Sequence, residues 1–278
     1  MTDKKWNELL VDQNLLQDRG SYWKHMRPDF EAHLSDYLVV FEKYRSTIGI
    51  APTNTSDWAA LPFGSFADNA SWAWRRQSLE LLENHLEKTK PDTVLEIGAW
   101  NGWLTKYLAK KSNVVVAADY FVCSFDGIGN LKDLAENIYP VQCDVETIKT
   151  DFHPQSFDLI ILNHCLTYTQ NPTEFILNLI PLLKEDGAIL SLGNTFYRNP
   201  SKKIRRNAKA NENYKYAYNR TLYIQPVKGY MDLVDLSNLE KNGFQILNYP
   251  KMRIQNFISK IHPYKPSYKA LLYKKTNR

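Results

Sequence analysis

Short apolar runs and helical patterns alternate along the chain from residue 71 onward. The runs are Val94–Ile97, Asn113–Ala118, Tyr139–Cys143, Phe157–Leu162 and Ala188–Leu192. Each is only a few residues long and nearly continuous in apolar character, the pattern of a strand buried on both faces. Between them, Gly127–Asn137 reads as a short, weakly patterned helix. Pro172–Lys184 reads as a stronger one, with Phe175, Ile176, Leu179 and Leu183 on one face. Glu185-Asp186-Gly187 reads as a turn. Upstream, Ser71 is placed to cap a helix over Trp72–Lys88. Downstream, Met231–Lys241 predicts a helix that stops at Asn242-Gly243, and Phe244–Tyr249 and Ala270–Lys274 predict two last strands. The prolines at 250, 263 and 266 predict an irregular link over 250–269.

Three regions stand outside this alternation. Residues 1–45 show no strand pattern and read as helical, with Phe30, Leu34, Tyr37, Leu38 and Phe41 at helix spacing and Pro28 placed at a first turn. Ser46–Asn69 reads as a long loop rich in Thr, Asn, Pro, Gly and Ser. The segment 194–230 shows no strong period and collects basic residues and tyrosines. The expected fold is therefore α/β: a seven-stranded, mostly parallel sheet with helices on both faces. A helical and loop extension, 1–70, precedes a core over 71–278, and an insert, 194–230, follows the fifth core strand.

Composition adds bounds. The 278 residues are 44% apolar and 23% charged, enough for a sizeable core, and the net charge of +5 does not by itself imply nucleic acid. Three cysteines without metal-ligand spacing predict buried, reduced thiols and a cytoplasmic setting. The opening MTDKKWNELL lacks the apolar run of a signal peptide, and no stretch approaches the ~20 apolar residues that span a bilayer, so no membrane partner is expected.

The residues just after each strand carry the chemistry, because ligands of open parallel sheets bind beyond the strands' carboxyl ends. Strand 1 carries Glu96 and runs into a turn with Gly98 and Gly102, strand 2 ends at Asp119, strand 3 at Asp144, strand 4 at Asn163-His164. Trp100 stands where a dinucleotide fingerprint needs its second glycine, which argues against NAD or FAD. A carboxylate at Asp119 can accept from vicinal ribose hydroxyls. Asp144 can accept from an adenine amino group, with Tyr120 and Val145 packing on the base.

This series resembles the class I S-adenosylmethionine (SAM) methyltransferases. VLEIGAWNG is similar to that family's hydrophobic pair followed by E/D-x-G-x-G-x-G, with Trp100 replacing the middle glycine, and FDLIILNHCLTYTQNPTEFILNLIPLLKEDGAIL is similar to its strand-4-to-strand-5 region. The resemblance covers 71–278. It implies SAM as cofactor, with Gly98 and Gly102 at its amino-acid part, Glu96, Ala99 and Trp100 among the cofactor-binding residues (Trp100 capping the cofactor or packing the turn), Asp119 on the ribose, and Asp144, Tyr120 and Val145 at the adenine. Asn163 stands beside them, and His164, or a tyrosine of the insert, is the candidate catalytic base. Arg75 or Arg76 can meet the SAM carboxylate from the preceding helix, although a solvated helix face is the preferred reading. No metal is implied.

The acceptor is expected to be a small molecule, methylated on O, N or C, and the basic insert suggests a lid over an anionic one. Two rivals are a SAM-binding protein without turnover, motivated by Trp100, and an RNA methyltransferase using the insert. Nucleic acid is disfavoured because the charge is modest, and no N-P-P-Y tetrapeptide or cytosine-type cysteine pair is present.

Overall fold

The computed structural model describes residues 6–276. Residues 1–5, the start of the region read as helical, lie outside the described residues. Two short strands come first, β1 (Leu16–Asp18) and β2 (Trp23–His25), then α1 (Pro28–Thr47), α2 (Thr55–Ala60) and α3 (Ala70–Thr89). The alternating core follows: β3 (Thr93–Ile97), α4 (Thr105–Ala109), β4 (Val114–Asp119), β5 (Ile138–Gln142), β6 (Phe157–Asn163), α5 (Pro172–Leu177) and β7 (Leu183–Tyr197). Last come α6 (Ser201–Tyr218), β8 (Met231–Asp232), α7 (Leu233–Lys241), β9 (Gln245–Asn248), α8 (Arg253–Ile261) and β10 (Ser267–Lys274).

One sheet holds all ten strands of the described residues, in the order β1-β2-β5-β4-β3-β6-β7-β10-β9, with β8 on the far end of β7. The five strands from β5 to β7 run parallel, and β10 enters antiparallel between β7 and β9. Alternate residues of the central strands feed opposite faces. Leu95, Ile97, Val116 and Ile160 lie in one buried cluster; Val94, Val115, Ala117 and Ile161 lie in the other. Both faces are apolar, so each strand is apolar throughout, and each buried Val, Leu or Ile contributes about 1.5–3 kcal/mol. The arrangement is a Rossmann-like sheet flanked by helices.

Several sequence expectations are corrected. The first 45 residues are not all helical: β2 extends the sheet beside β5, pairing Trp23 with Val141 and Lys24 with Gln142. Trp6, Trp23 and Tyr139 form an aromatic cluster there, with centroids 4.6–5.7 Å apart. The seven expected strands are present as β3 to β7, β9 and β10, and β1, β2 and β8 bring the sheet to ten strands among the described residues. Ser46–Asn69 contains α2, and Asn69, not Ser71, caps α3 by accepting from the Ser71 and Trp72 N–H groups. Gly127–Asn137 holds only a single 3-10 turn, Leu131–Asp133. Residues 185–187 lie within the long strand β7, so the helix expected to reach Lys184 is cut short. The insert contains an 18-residue helix, α6, and the proline-flanked link 250–269 contains α8.

Candidate functional site

The turn after β3 is built by backbone constraint. Gly98 and Gly102 have φ of +74° and +71°. A Cβ at Gly98 would lie 2.6 Å from Cys165 Cβ, and one at Gly102 would lie 2.2 Å from Leu131 Cδ2. Only glycine meets both demands. Between them Trp100 also adopts a left-handed backbone, φ +50°, which is costly for a bulky side chain. Its surroundings offset that cost. The backbone N–H donates to Asp119 Oδ2 at 2.7 Å and the indole Nε1 donates to Asp126 Oδ1. The ring lies nearly parallel to Trp72, with centroids 5.7 Å apart and planes at 17°. The guanidinium carbons of Arg45 and Arg75 stand 5.6 and 5.3 Å from its ring. Trp100 thus holds a left-handed backbone between two glycines that do the same.

Three carboxylates meet this region in different environments. Glu96 is fully buried and accepts from Thr105 Oγ1 at 2.6 Å and from Asn163 Nδ2 at 3.2 Å. Burial pushes its pKa up to about 8, so it is largely protonated at neutral pH. Asp119 ends β4, accepts from the Trp100 and Phe121 N–H groups, and is pushed up to about 6 by burial, against those hydrogen bonds. Asp144 follows β5 and accepts from Gln225 Nε2 at 2.9 Å and from the Glu146 N–H at 3.0 Å.

A cavity of about 660 Å³ opens at the carboxyl ends of β3, β4 and β6, within the ~300–1,000 Å³ range of small-molecule sites. Gly98, Trp100, Asp119, Tyr120, Val145, Asn163 and His164 all line it. Glu96, Ala99, Gly102 and Asp144 stand outside the lining; Asp144 touches it through Gln225, which does line it. The opposite wall comes from α1, through Tyr37, Phe41 and Arg45, and from the segment after α6, through Leu222, Tyr223 and Ile224. These two walls are tied together: the Tyr37 hydroxyl donates to the Leu222 carbonyl at 2.8 Å, and Tyr44 meets Tyr214 edge-on at 5.0 Å.

The insert's basic run does not reach this cavity. Lys202, Lys203, Arg205, Arg206 and Lys209 are all absent from the lining, and the cations there are Arg45 and Arg75. That removes the basis for a basic lid. Arg45 is neutralised by a salt bridge to Asp126. Arg75 has no acidic partner among the described residues; it touches Ser71 and the faces of Trp72 and Trp100, and its buried Nε has no hydrogen-bond partner. Burial lowers its pKa to about 10, with the Arg45 charge acting in the same direction. Its helix face is the cavity wall, not solvent. Arg76 is used otherwise, donating to the Pro62 and Ala67 carbonyls at 3.0 Å.

His164 has φ +57°, its ring meets Trp74 edge-on at 4.7 Å, and its Nε2 lies 3.4 Å from Ser78 Oγ. Burial, reinforced by the Arg75 charge, holds it neutral well below its usual pKa. Gly193 makes room for it, since a Cβ there would lie 2.2 Å from the ring. Asn163 Oδ1 is a second buried polar atom without a hydrogen-bond partner among the described residues. Arg45 and Asp126 were not singled out from sequence. They are distant in the chain, and only the i, i+3 spacing of Trp72 and Arg75 hints that a cation shares the aromatic face.

A Rossmann-like sheet with a glycine turn, strand-tip acids and a cavity at the switch point defines a nucleoside-binding α/β protein. A family model described as a methyltransferase domain matches residues 69–248. The chain belongs to that family, the class I SAM-dependent methyltransferases, and its cofactor is SAM. No curated protein sequence matches it. Among solved structures it is similar to Haemonchus contortus phosphoethanolamine N-methyltransferase 1 in complex with phosphoethanolamine and S-adenosylhomocysteine. The TM-score is 0.51 at 17% identity, covering 89% of this chain and 50% of that one. It is also similar to the YcgJ protein of Bacillus subtilis, with TM-score 0.50 and 15% identity over 73% of this chain and 100% of that one. At such identities the likeness is one of fold.

Proposed function

We propose that this methyltransferase transfers the SAM methyl group to O, N or C of a small molecule enclosed between the strand tips and the α1 wall. The carrying observation is the pair of unpartnered buried atoms at the cavity, Arg75 Nε as donor and Asn163 Oδ1 as acceptor. An amino acid presents the complementary pair, a carboxylate and an ammonium. In this reading Arg75 and Asn163 take the methionyl end of SAM, the Gly98–Gly102 backbone lies along it, and Asp119 accepts from the ribose hydroxyls. Tyr120 and Val145 flank the adenine, with Asp144 and Gln225 at its edge.

Bound SAM supplies an electrophilic methyl group; the chain supplies position, dryness and a proton acceptor. Tyr37, Phe41 and Tyr223 exclude water from the acceptor side. His164 is the candidate acceptor of a proton, and its low pKa makes it a transient one rather than a store of charge. A small acceptor is favoured over RNA because α1 and residues 222–224 roof the cavity while the cations of α6 lie elsewhere. The test is twofold. S-adenosylhomocysteine at a hundredfold excess over Kd should stabilise the protein by ~2.7 kcal/mol. Labelled SAM should then transfer its methyl to a small acceptor in a metabolite pool. A thermal shift without transfer to any small molecule, but with transfer to RNA, would overturn the acceptor class.

A further inference from the structure

The helix α8 is inverted. Its inward face carries Asn256 and Ser259: Asn256 Oδ1 accepts from the Tyr268 N–H at 2.6 Å, and the Ser259 hydroxyl donates to the Asn256 carbonyl at 2.7 Å. Its outward face carries Ile254, Phe257, Ile258 and Ile261, spaced i, i+3, i+4 and i+7, and exposed by 73%, 60%, 37% and 60%. A helix on a water-facing surface shows the opposite arrangement. Tyr264, 40% exposed, continues the stripe beyond the helix end. A contiguous apolar patch of this kind marks an interaction surface.

Charge says which surface it meets. At 100° per residue, Arg253 and Lys260 flank the apolar stripe along one side. Lys202 Nζ, at the start of α6, lies 4.3 Å from the Tyr264 ring. From Lys202 a second stripe runs along α6 at the same spacing, Arg205, Arg206 and Lys209, on the side away from buried Tyr214. None of these six cations is in an ion pair among the described residues. A second copy meeting α8 face to face would bring two such cationic rims together. The Lys202–Tyr264 contact joins the two stripes, and an anionic lipid surface would suit both: Ile and Phe side chains in the acyl boundary, Lys and Arg side chains among the headgroups. No helix among the described residues is long and apolar enough to cross a membrane, so this is attachment in the interface plane.

We propose that the α8 ridge and the α6 cationic stripe form a docking surface for anionic phospholipid membranes. The experiment is co-sedimentation of the full chain with vesicles of phosphatidylcholine alone and of phosphatidylcholine with phosphatidylserine. Two variants are compared, Phe257→Ser/Ile261→Ser and Lys202→Glu/Arg205→Glu. The expected result is binding to the mixed vesicles only, weakened by salt. It should be lost in the apolar pair and reduced by at least about fivefold per charge in the acidic pair. The S-adenosylhomocysteine thermal shift, unchanged in both variants, shows that the fold and the cofactor site are intact. Absence of binding to the mixed vesicles, or binding indifferent to both variants, overturns the proposal. So does concentration-dependent self-association abolished by the apolar pair, which would assign the ridge to a second copy. Retention on RNA in place of vesicles, lost only in the acidic pair, would likewise overturn it.

Discussion

The backbone N–H of Trp100 donates to Asp119 Oδ2 at 2.7 Å, tying the turn after β3 to the tip of β4. The other oxygen, Oδ1, takes the Phe121 N–H at 3.1 Å. Each oxygen keeps capacity for a further donor. One carboxylate therefore shapes the glycine turn and also lines the cavity, at the ribose subsite proposed above.

Replacing Asp119 tests both roles. Asp119→Ala should weaken S-adenosylhomocysteine binding about tenfold to a hundredfold, since hydrogen bonds to a charged group contribute about 1.5–3 kcal/mol each. Asp119 is raised to about 6 by burial, and the ionised form is the better acceptor. Wild-type affinity should therefore fall as pH drops through about 6, and Asp119→Asn should abolish that dependence. Calorimetric titration across the pH range reads both. Equal affinity for wild type and the Ala variant would remove Asp119 from the cofactor site.

Glu96 makes the opposite prediction about stability. Its folded pKa, about 8, lies above the unfolded value. Between those values the unfolded chain has released a proton that the native state retains, so stability falls as pH rises through this window. The contribution is fully present below about pH 4 and lost above about pH 8. Glu96→Gln fixes the neutral form with the same shape. The melting temperature of wild type should drop relative to that of the variant between about pH 5 and 8. Parallel curves would show that Glu96 is ionised in the native state.

Trp100 permits a test that separates backbone from side chain. Trp100→Gly and Trp100→Ala both lose the Trp72 stack and the indole bond to Asp126. Only the Gly variant relieves the left-handed backbone at φ +50°. The Gly variant should therefore be the more stable by about 1 kcal/mol, the reverse of the usual ranking. Thermal melts of the two variants decide it, and an Ala variant as stable as the Gly variant would show the turn relaxing.

The central strands were legible because burial on both faces makes a parallel strand apolar throughout, a signal independent of register. Asp119, Asn163 and His164 were legible as strand-end residues for the same reason. What escaped were elements whose surroundings do not follow that rule. Trp23-Lys24-His25 is too short to show a period, and α6 buries only Tyr214, so its sequence is polar almost throughout. The apolar stripe of α8 faces outward, and its flanking prolines suggested irregularity. From sequence alone Arg75 reads as a solvated residue, because nothing there shows that the wall of α3 closes over the cavity.

Arg75 carries the last prediction. Its guanidinium stands 5.1 and 5.3 Å from the Trp72 and Trp100 rings, beside their stack, lacks an acidic partner among the described residues and leaves Nε–H unpaired. A buried cation without a counter-charge is costly, and a carboxylate supplied by a ligand offsets that cost. Arg75→Met keeps much of the stem and removes the charge, so the free protein should be as stable as wild type or more so. Binding of S-adenosylhomocysteine should weaken by about tenfold to a hundredfold, whereas 5′-methylthioadenosine, which lacks the amino-acid end, should bind both proteins alike. The mutation and the ligand truncation should therefore be strongly non-additive, as expected for groups in direct contact. If Arg75→Met weakens both ligands equally, the guanidinium shapes the cavity without meeting the carboxylate. If it weakens neither but abolishes methyl transfer, Arg75 faces the acceptor, and an anionic group on that acceptor becomes the partner to identify.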